Sequence, residues 1–402
     1  MSPPATLKVL DSLRGVYSIF VLLLHANQTY TRIFPTTITR RVVFMGHIAV
    51  DGFFFLSGFL ITHVYQKKIS DAMEPPKKVE DDEKPSEGEN STQNQGFWRT
   101  FLSYFWNRIA RLYPLVFFSE TVMLLFYNNN NAGWECLYEY FLICGWVGKW
   151  SGNTPLWSLN AEFLLYLLFP IFLWFNKKIN PNKKIWISIL LSLIIPICVN
   201  ISRLFIDYED EFFPILNTGP LYRGVQGFYA GICLYHIYEL NPEQEKKYDY
   251  LCLITLLINI ILIIYAPQIF AYVYGWFLFT FFLVKSKMFM KFIFEREVLL
   301  LVGEISFSLY LLHYPLIIYL NTYLEVELPN GLDNKERIFV FTGLFSFIAI
   351  YSYLIYQYYE KPTRDYLRKL WLKIDKKIFE KPFLSEGQIS SSSEKKYKQN
   401  DE

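Results

Sequence analysis

Residues 10–30 read LDSLRGVYSIFVLLLHANQTY, an apolar run interrupted by Arg14 near its start and by His25 well inside it. A run of about 20 mainly apolar residues is what a helix needs to cross a bilayer. No small-residue cleavage site follows, so the run reads as a first membrane helix and not as a removed signal peptide. Its two ionisable residues then need a reason, because each is costly to bury in lipid. Arg14 and His25 are 11 positions apart. That is ~1100° of helix, about 20° past three turns, so one face holds both, ~16 Å apart along the axis. Such a face must look into a helix bundle.

The chain supplies the bundle. It has 402 residues, of which 52% are hydrophobic and 19% aromatic. Further apolar runs lie near 43–66, 109–127, 156–175, 185–204, 219–239, 250–266, 269–285, 298–321 and 337–359. The expected fold class is therefore all-α, a polytopic membrane bundle of about ten helices. A β-barrel would show alternating segments of about ten residues, whereas these runs are continuous. The stretch WECLYEYFLICGWVG (134–148) is short and carries Glu135 and Glu139, so it reads as interfacial or re-entrant. If it spanned, everything after it would invert.

Charge bias chooses between the two counts. With ten helices and an inside N-terminus, 176–184, 240–249, 285–297 and 360–381 lie inside and hold 18 Lys and Arg. The outer loops 31–42, 128–155, 205–218, 267–268 and 322–336 hold 5. Both termini are thus expected in the cytoplasm, although Arg32, Arg40 and Arg41 run against the rule. Which membrane, surface or internal, the sequence leaves open.

The polar segment 67–96 is charged and rich in Pro, Ser and Asn, and it reads as a disordered cytoplasmic loop. A membrane domain over 1–365 is expected to be followed by a basic amphipathic helix over 366–383 and a disordered tail over 384–402. The apolar side of that helix suits a membrane surface, and its Lys and Arg suit anionic headgroups. The five cysteines are scattered through apolar segments without zinc-type spacing and read as buried thiols. A net charge of +2 gives no reason to expect nucleic acid. No Walker loop, dinucleotide fingerprint or metal cluster is seen, and no internal repeat of the transporter kind.

The remaining polar residues of the apolar runs are the candidates for chemistry. In GHIAVDGFFFLSGFLITH (46–63), Asp51 needs a partner, for which an arginine is natural, and Ser57 can bond across helices. In SYFWNRIARLYPLVFF (103–118), Arg108 and Arg111 stand three apart and point the same way. They are either membrane anchors or a phosphate clamp, since guanidinium groups fork onto phosphate. PLWSLNAEFLLYLLFP (155–170) buries Glu162, for which Arg223 in YRGVQGFYAGICLYH (222–236) is one available partner. VGEISFSLYLLHYPL (302–316) puts Ser306, Tyr310 and His313 on one helix face. YYEKPTR (358–364) closes the last run with Glu360.

Taken in order, LDSLRGVYSIFVLLLH, VDGFFFLSGFLIT, NRIARLYPL, LWSLNAEFLLYLLFP, GEISFSLYLLHYPL and YEKPTR resemble the acyltransferase 3 family of integral membrane O-acyltransferases, across most of the chain. The resemblance implies about ten membrane helices. It also implies transfer of an acyl group, commonly acetyl, from cytoplasmic acyl-CoA to a hydroxyl of a glycan, lipid or small molecule. No permanently bound cofactor or metal is implied, and acyl-CoA is the co-substrate. Some relatives carry a fused hydrolase-like domain, and this chain looks like the stand-alone form.

Acyl transfer needs a base for the hydroxyl, a cradle for the anionic donor and donors for the oxyanion. His25 suits the base, because imidazole titrates near neutrality. Arg14, Arg108 and Arg111 suit the donor phosphates. Glu360, Glu162 or Asp51 is expected to orient His25 or an arginine, and Glu360 is paired with His25 as the catalytic set. Ser57, Arg223, Tyr310 and His313 support it. The competing reading is a multi-pass transporter or proton-coupled carrier using the same buried charges. A third is a non-catalytic partner acting through 67–96 and the basic tail.

Overall fold

The computed structural model describes residues 5–27, 45–73, 87–126, 135–144, 152–176, 179–203, 220–240, 243–265, 271–327 and 332–379. Every regular element among them is a helix. In order they are α1 (Ala5–Ala26), α2 (Met45–Met73), α3 (Glu87–Phe126), α4 (Glu135–Tyr140), α5 (Leu156–Asn176), α6 (Pro181–Arg203) and α7 (Pro220–Leu240). They continue as α8 (Lys247–Tyr265), α9 (Ala271–Lys285), α10 (Phe289–Phe294), α11 (Glu297–Glu304), α12 (Ser306–Glu327), α13 (Asn334–Ile355) and α14 (Lys361–Phe379). A π turn, Tyr356–Glu360, joins the last two.

By length and composition, Lys8–Ala26, Gly46–Met73, Leu156–Phe175, Lys247–Tyr265 and the joined stretch Asn334–Phe379 can each cross a membrane. The pair α11 and α12 makes a sixth if counted as one bent span. Outward-facing apolar side chains such as Leu125, Phe175 and Ile261 are what a lipid-facing surface requires. At six residues, or ~9 Å, α4 is too short to span.

α1 is the organising helix. It packs on α2, α11 and α12. α2 in turn lies along α7, so closely that a methyl at Gly58 would strike the Phe228 carbonyl and one at Gly231 that of Phe55. Only glycine permits that approach.

Three expectations change. The run 298–321 is not one straight helix. It bends by 62° between α11 and α12, at Ile305. The cause lies in packing: Gly303 meets the backbone of Asp11 and Ser12, and Gly15 meets that of Val302 and Gly303, which draws α11 onto α1 and leaves α12 to take its own direction. Second, the polar segment 67–96 is helical at both ends, where α2 runs to Met73 and α3 starts at Glu87. Residues 74–86 and the tail 384–402 lie outside the described residues. Third, the amphipathic helix begins at Lys361, earlier than expected, because the π turn carries α13 straight into it. Pro362 sits in its first turn, where a missing N–H costs little. Cys144, Cys233 and Cys252 are buried free thiols, as expected.

Candidate functional site

The shared face of α1 looks inward, and His25 meets a second histidine. His25 Nδ1 lies 2.8 Å from His313 Nε2, and the two rings stack with centroids 5.0 Å apart. His313 Nδ1 lies 3.0 Å from the Leu309 carbonyl, one turn back on α12. A carbonyl only accepts, so in the neutral pair His313 carries its proton on Nδ1. His313 Nε2 is then an acceptor and His25 Nδ1 the donor to it. With its one proton on Nδ1, neutral His25 keeps the lone pair of Nε2, the form a general base needs.

Tyr310 stands one turn before His313, with ring centroids 6.3 Å apart. Its hydroxyl is 2.7 Å from Ser158 Oγ and donates to the Pro155 carbonyl at 3.2 Å. Tyr310, Ser158 and Ser306 also line a cavity of about 70 Å³ that is bounded by Arg14, Arg108 and Arg111. The three arginines expected to act together are thus brought together, from α1 and α3.

Within this cavity Glu162 is the counter-charge. It accepts from Ser57 Oγ at 2.7 Å and from the Tyr166 hydroxyl. Arg108 lies over the rings of Tyr65 and Tyr166, at 5.2 and 5.6 Å, and donates to the Tyr65 hydroxyl at 3.3 Å. Its buried Nε has no acceptor among the described residues. Arg14 has only a loose ion pair with Asp11, at 3.8 Å.

The carboxylates expected to steady His25 are engaged elsewhere. Asp51 forks onto Arg223, with Nε–Oδ1 at 2.9 Å and the second contact at 3.0 Å. Arg223 also donates to the His47 carbonyl at 2.7 Å and lies 4.8 Å over the Trp157 ring. Its partner is therefore Asp51 and not Glu162, because the close α2–α7 seam sets the two directly opposite. Glu360 accepts from Ser308 Oγ at 2.6 Å and from Arg364 at 3.4 Å. The π turn aims it at the N-terminal end of α12, at Ser308 and one face away from His313. Glu360 is thus not the partner of His25.

Sequence reasoning passed over Ser158, Tyr65, Tyr166 and Arg364. Tyr166 carried a usable signal, since it stands four after Glu162 in an otherwise apolar helix. Among the described residues no group of three or more His, Cys, Asp or Glu is arranged to hold a metal.

Comparison with known proteins places this geometry in context. The chain is 24% identical over 355 residues to the peptidoglycan O-acetyltransferase OatA of Listeria monocytogenes, covering 80% of this chain and 51% of that protein. It is 24% identical over 409 residues to the O-acetyltransferase OatA of Staphylococcus aureus, covering 90% and 58%. A shorter match, 32% over 126 residues, joins 31% of the chain to 48% of Protein 2 in picA locus of Rhizobium radiobacter. The chain spans about half the length of the curated relatives it matches first. No solved structure matches it. The acyltransferase domain that defines the acyltransferase 3 family matches residues 7–357, nearly the whole helical body built around α1, and the chain belongs to that family.

Proposed function

We propose that this chain is a multi-pass membrane O-acyltransferase that moves an acyl group, acetyl in the first instance, from cytoplasmic acyl-CoA to a hydroxyl of a carbohydrate acceptor. The observation that carries the reading is the continuity of the site. An arginine-lined cavity and a stacked histidine pair share one lining helix, α12, with Tyr310 between them. The relatives named as O-acetyltransferases favour acetyl and a glycan hydroxyl.

In this reading His25 Nε2 takes the proton of the acceptor hydroxyl as its oxygen attacks the thioester carbonyl. The imidazolium that forms is steadied through Nδ1–H by His313 Nε2. The tetrahedral oxyanion takes a hydrogen bond from the hydroxyl of Tyr310, whose ring stands beside His313. Its collapse breaks the carbon–sulfur bond, and His25 returns its proton to the leaving thiolate. Arg14, Arg108 and Arg111 hold the anionic donor while Glu162 orients Tyr166 beside Arg108. The 18-to-5 bias in Lys and Arg supports ten spans with both termini inside, which sets the arginine end of α1 toward the cytoplasm and His25 deeper.

The test is His25→Ala at matched protein level in membranes supplied with radiolabelled acetyl-CoA and an acceptor glycan. Loss of a general base of this kind is expected to lower transfer by about 10²–10⁴-fold. Undiminished transfer removes His25 from the chemistry, and absence of free coenzyme A release in the wild type removes the enzyme reading altogether.

A further inference from the structure

Ser158 and Tyr310 meet in the wall of the arginine-lined cavity, and both are buried. Ser158 stands in the first turn of α5, and Tyr310 comes from α12. Their oxygens are 2.7 Å apart. Each also reaches the Pro155 carbonyl, Ser158 Oγ at 3.1 Å and the Tyr310 hydroxyl at 3.2 Å. The Tyr310 ring is held by the edge contact of Phe53, with centroids 5.3 Å apart. Its hydroxyl oxygen is therefore fixed in place, and the O–H bond alone is free to turn.

Each hydroxyl owns one proton, and the carbonyl owns none. Three close oxygen pairs thus share two protons. A separation of 2.7 Å is the usual length of an O–H···O bond, so that pair holds one of them. Two arrangements remain. In the first, Tyr310 donates to Ser158 and Ser158 donates to Pro155. The Tyr310 proton then sits in the shortest contact and is not on offer to a substrate. In the second, Ser158 donates to Tyr310. The Tyr310 proton then rests on Pro155 at 3.2 Å, the longest of the three contacts, and is the one most easily given up.

Turning that proton away does not strand the carbonyl, which also takes the Ser158 N–H at 3.4 Å. A phenol that accepts a hydrogen bond is moreover the stronger donor, because the two bonds polarise each other. The second arrangement therefore suits a tyrosine that must meet charge as it develops.

We propose that Ser158 is a positioning residue, which donates to the Tyr310 oxygen and so frees the Tyr310 proton for the oxyanion. The proposal rests on the acyl-transfer reading above, in which Tyr310 meets that oxyanion. Ser158 forms no covalent bond in this scheme. Its contribution arises in the transition state, when charge appears on the former carbonyl oxygen, so it belongs to kcat.

The test is a double-mutant cycle in membranes at matched protein level, with radiolabelled acetyl-CoA as donor and chitopentaose as the acceptor probe. Tyr310→Phe is expected to lower kcat about 100-fold, as for the loss of one oxyanion donor. Ser158→Ala is expected to lower kcat about tenfold, with KM for both substrates within about twofold of wild type. In the Tyr310→Phe background, Ser158→Ala should cost nothing further. Ser158→Thr keeps the hydroxyl and should hold most of the wild-type kcat, whereas Ser158→Cys, a weak donor of similar size, should behave like alanine.

Ser158→Ala at the wild-type kcat overturns the proposal, as does a change confined to KM. The same loss repeated in the Tyr310→Phe background overturns it too, because Ser158 then acts apart from Tyr310. If Ser158→Ala does not accumulate as folded protein, the threonine and cysteine variants carry the test, and equal rates for the two overturn it. Tyr310→Phe at the wild-type rate removes this role while leaving His25 in the chemistry. A wild type that releases no coenzyme A removes the acyl-transfer reading and this proposal together.

Discussion

The α2–α7 seam and the corner formed by α1, α3 and α14 both bury arginine, and they treat it in opposite ways. In the seam, Arg223 has a forked carboxylate, a backbone carbonyl and a tryptophan face. In the corner, Arg14 has one loose ion pair, and Arg108 and Arg364 each keep a buried N–H without an acceptor. A buried charge whose contacts are complete supports the fold, whereas one whose contacts are left open is prepared for a ligand. The difference supports the proposal that Asp51 serves the fold and the corner arginines serve the donor, although in the sequence all are lone charges in apolar runs.

The largest expected effect falls in the seam. Arg223→Met leaves Asp51 buried without a partner, which costs about 3–5 kcal/mol. Folded yield and thermal midpoint in detergent should drop sharply, and adding Asp51→Leu should recover much of the loss. A well-folded Arg223→Met protein that has lost only transfer would break the comparison, because the seam would then be part of the site. Next comes His313→Phe, which keeps the ring stack and removes the acceptor for His25 Nδ1–H. Transfer is expected to fall by about 10–100-fold through kcat at unchanged yield. A change in KM alone would detach His313 from the base.

A smaller effect is expected for Arg108→Gln. Folding should be unaffected, and KM for the acyl donor should rise about tenfold, as for the loss of one charged hydrogen bond. Loss of yield instead would mean that the open N–H of Arg108 is a strain the fold needs and not a vacancy for a ligand. The smallest belongs to Arg99→Gln at the rim. Arg99 is 41% exposed, so its pair with Asp375 is screened and worth no more than about 1 kcal/mol. The thermal midpoint should shift by a degree or two, with donor affinity falling only if α14 loosens from α3.

How much of this was legible follows from the range of the interactions. The helices were readable because apolar length and helical period are local properties, and the shared face of Arg14 and His25 follows from spacing alone. The six stretches that mark the family were equally local. The partner of His25 was not readable, because it comes from 288 positions away and is a second histidine where a carboxylate was expected. The pairing of Arg223 stays open in the sequence for a related reason. Glu162 and Asp51 are both lone acids, and the choice between them depends on which helix the glycines let α7 approach. The bend at Ile305 left no mark in composition, since 298–321 is apolar throughout.

The sequence by itself determined an all-helical chain, its membrane-crossing lengths, its family and the residues too costly to bury without purpose. Those properties rest on transfer energies and helical periodicity, which act over a few turns of one chain segment. Only the tertiary structure decided which of those residues complete one another. Close glycine contacts bring α2 to α7 and α11 to α1, which sets Asp51 on Arg223, and the same packing brings His25 to His313 and the arginines of α1 and α3 around one cavity. Whether a buried charge is satisfied is a property of the three-dimensional neighbourhood, and no spacing along the chain contains it.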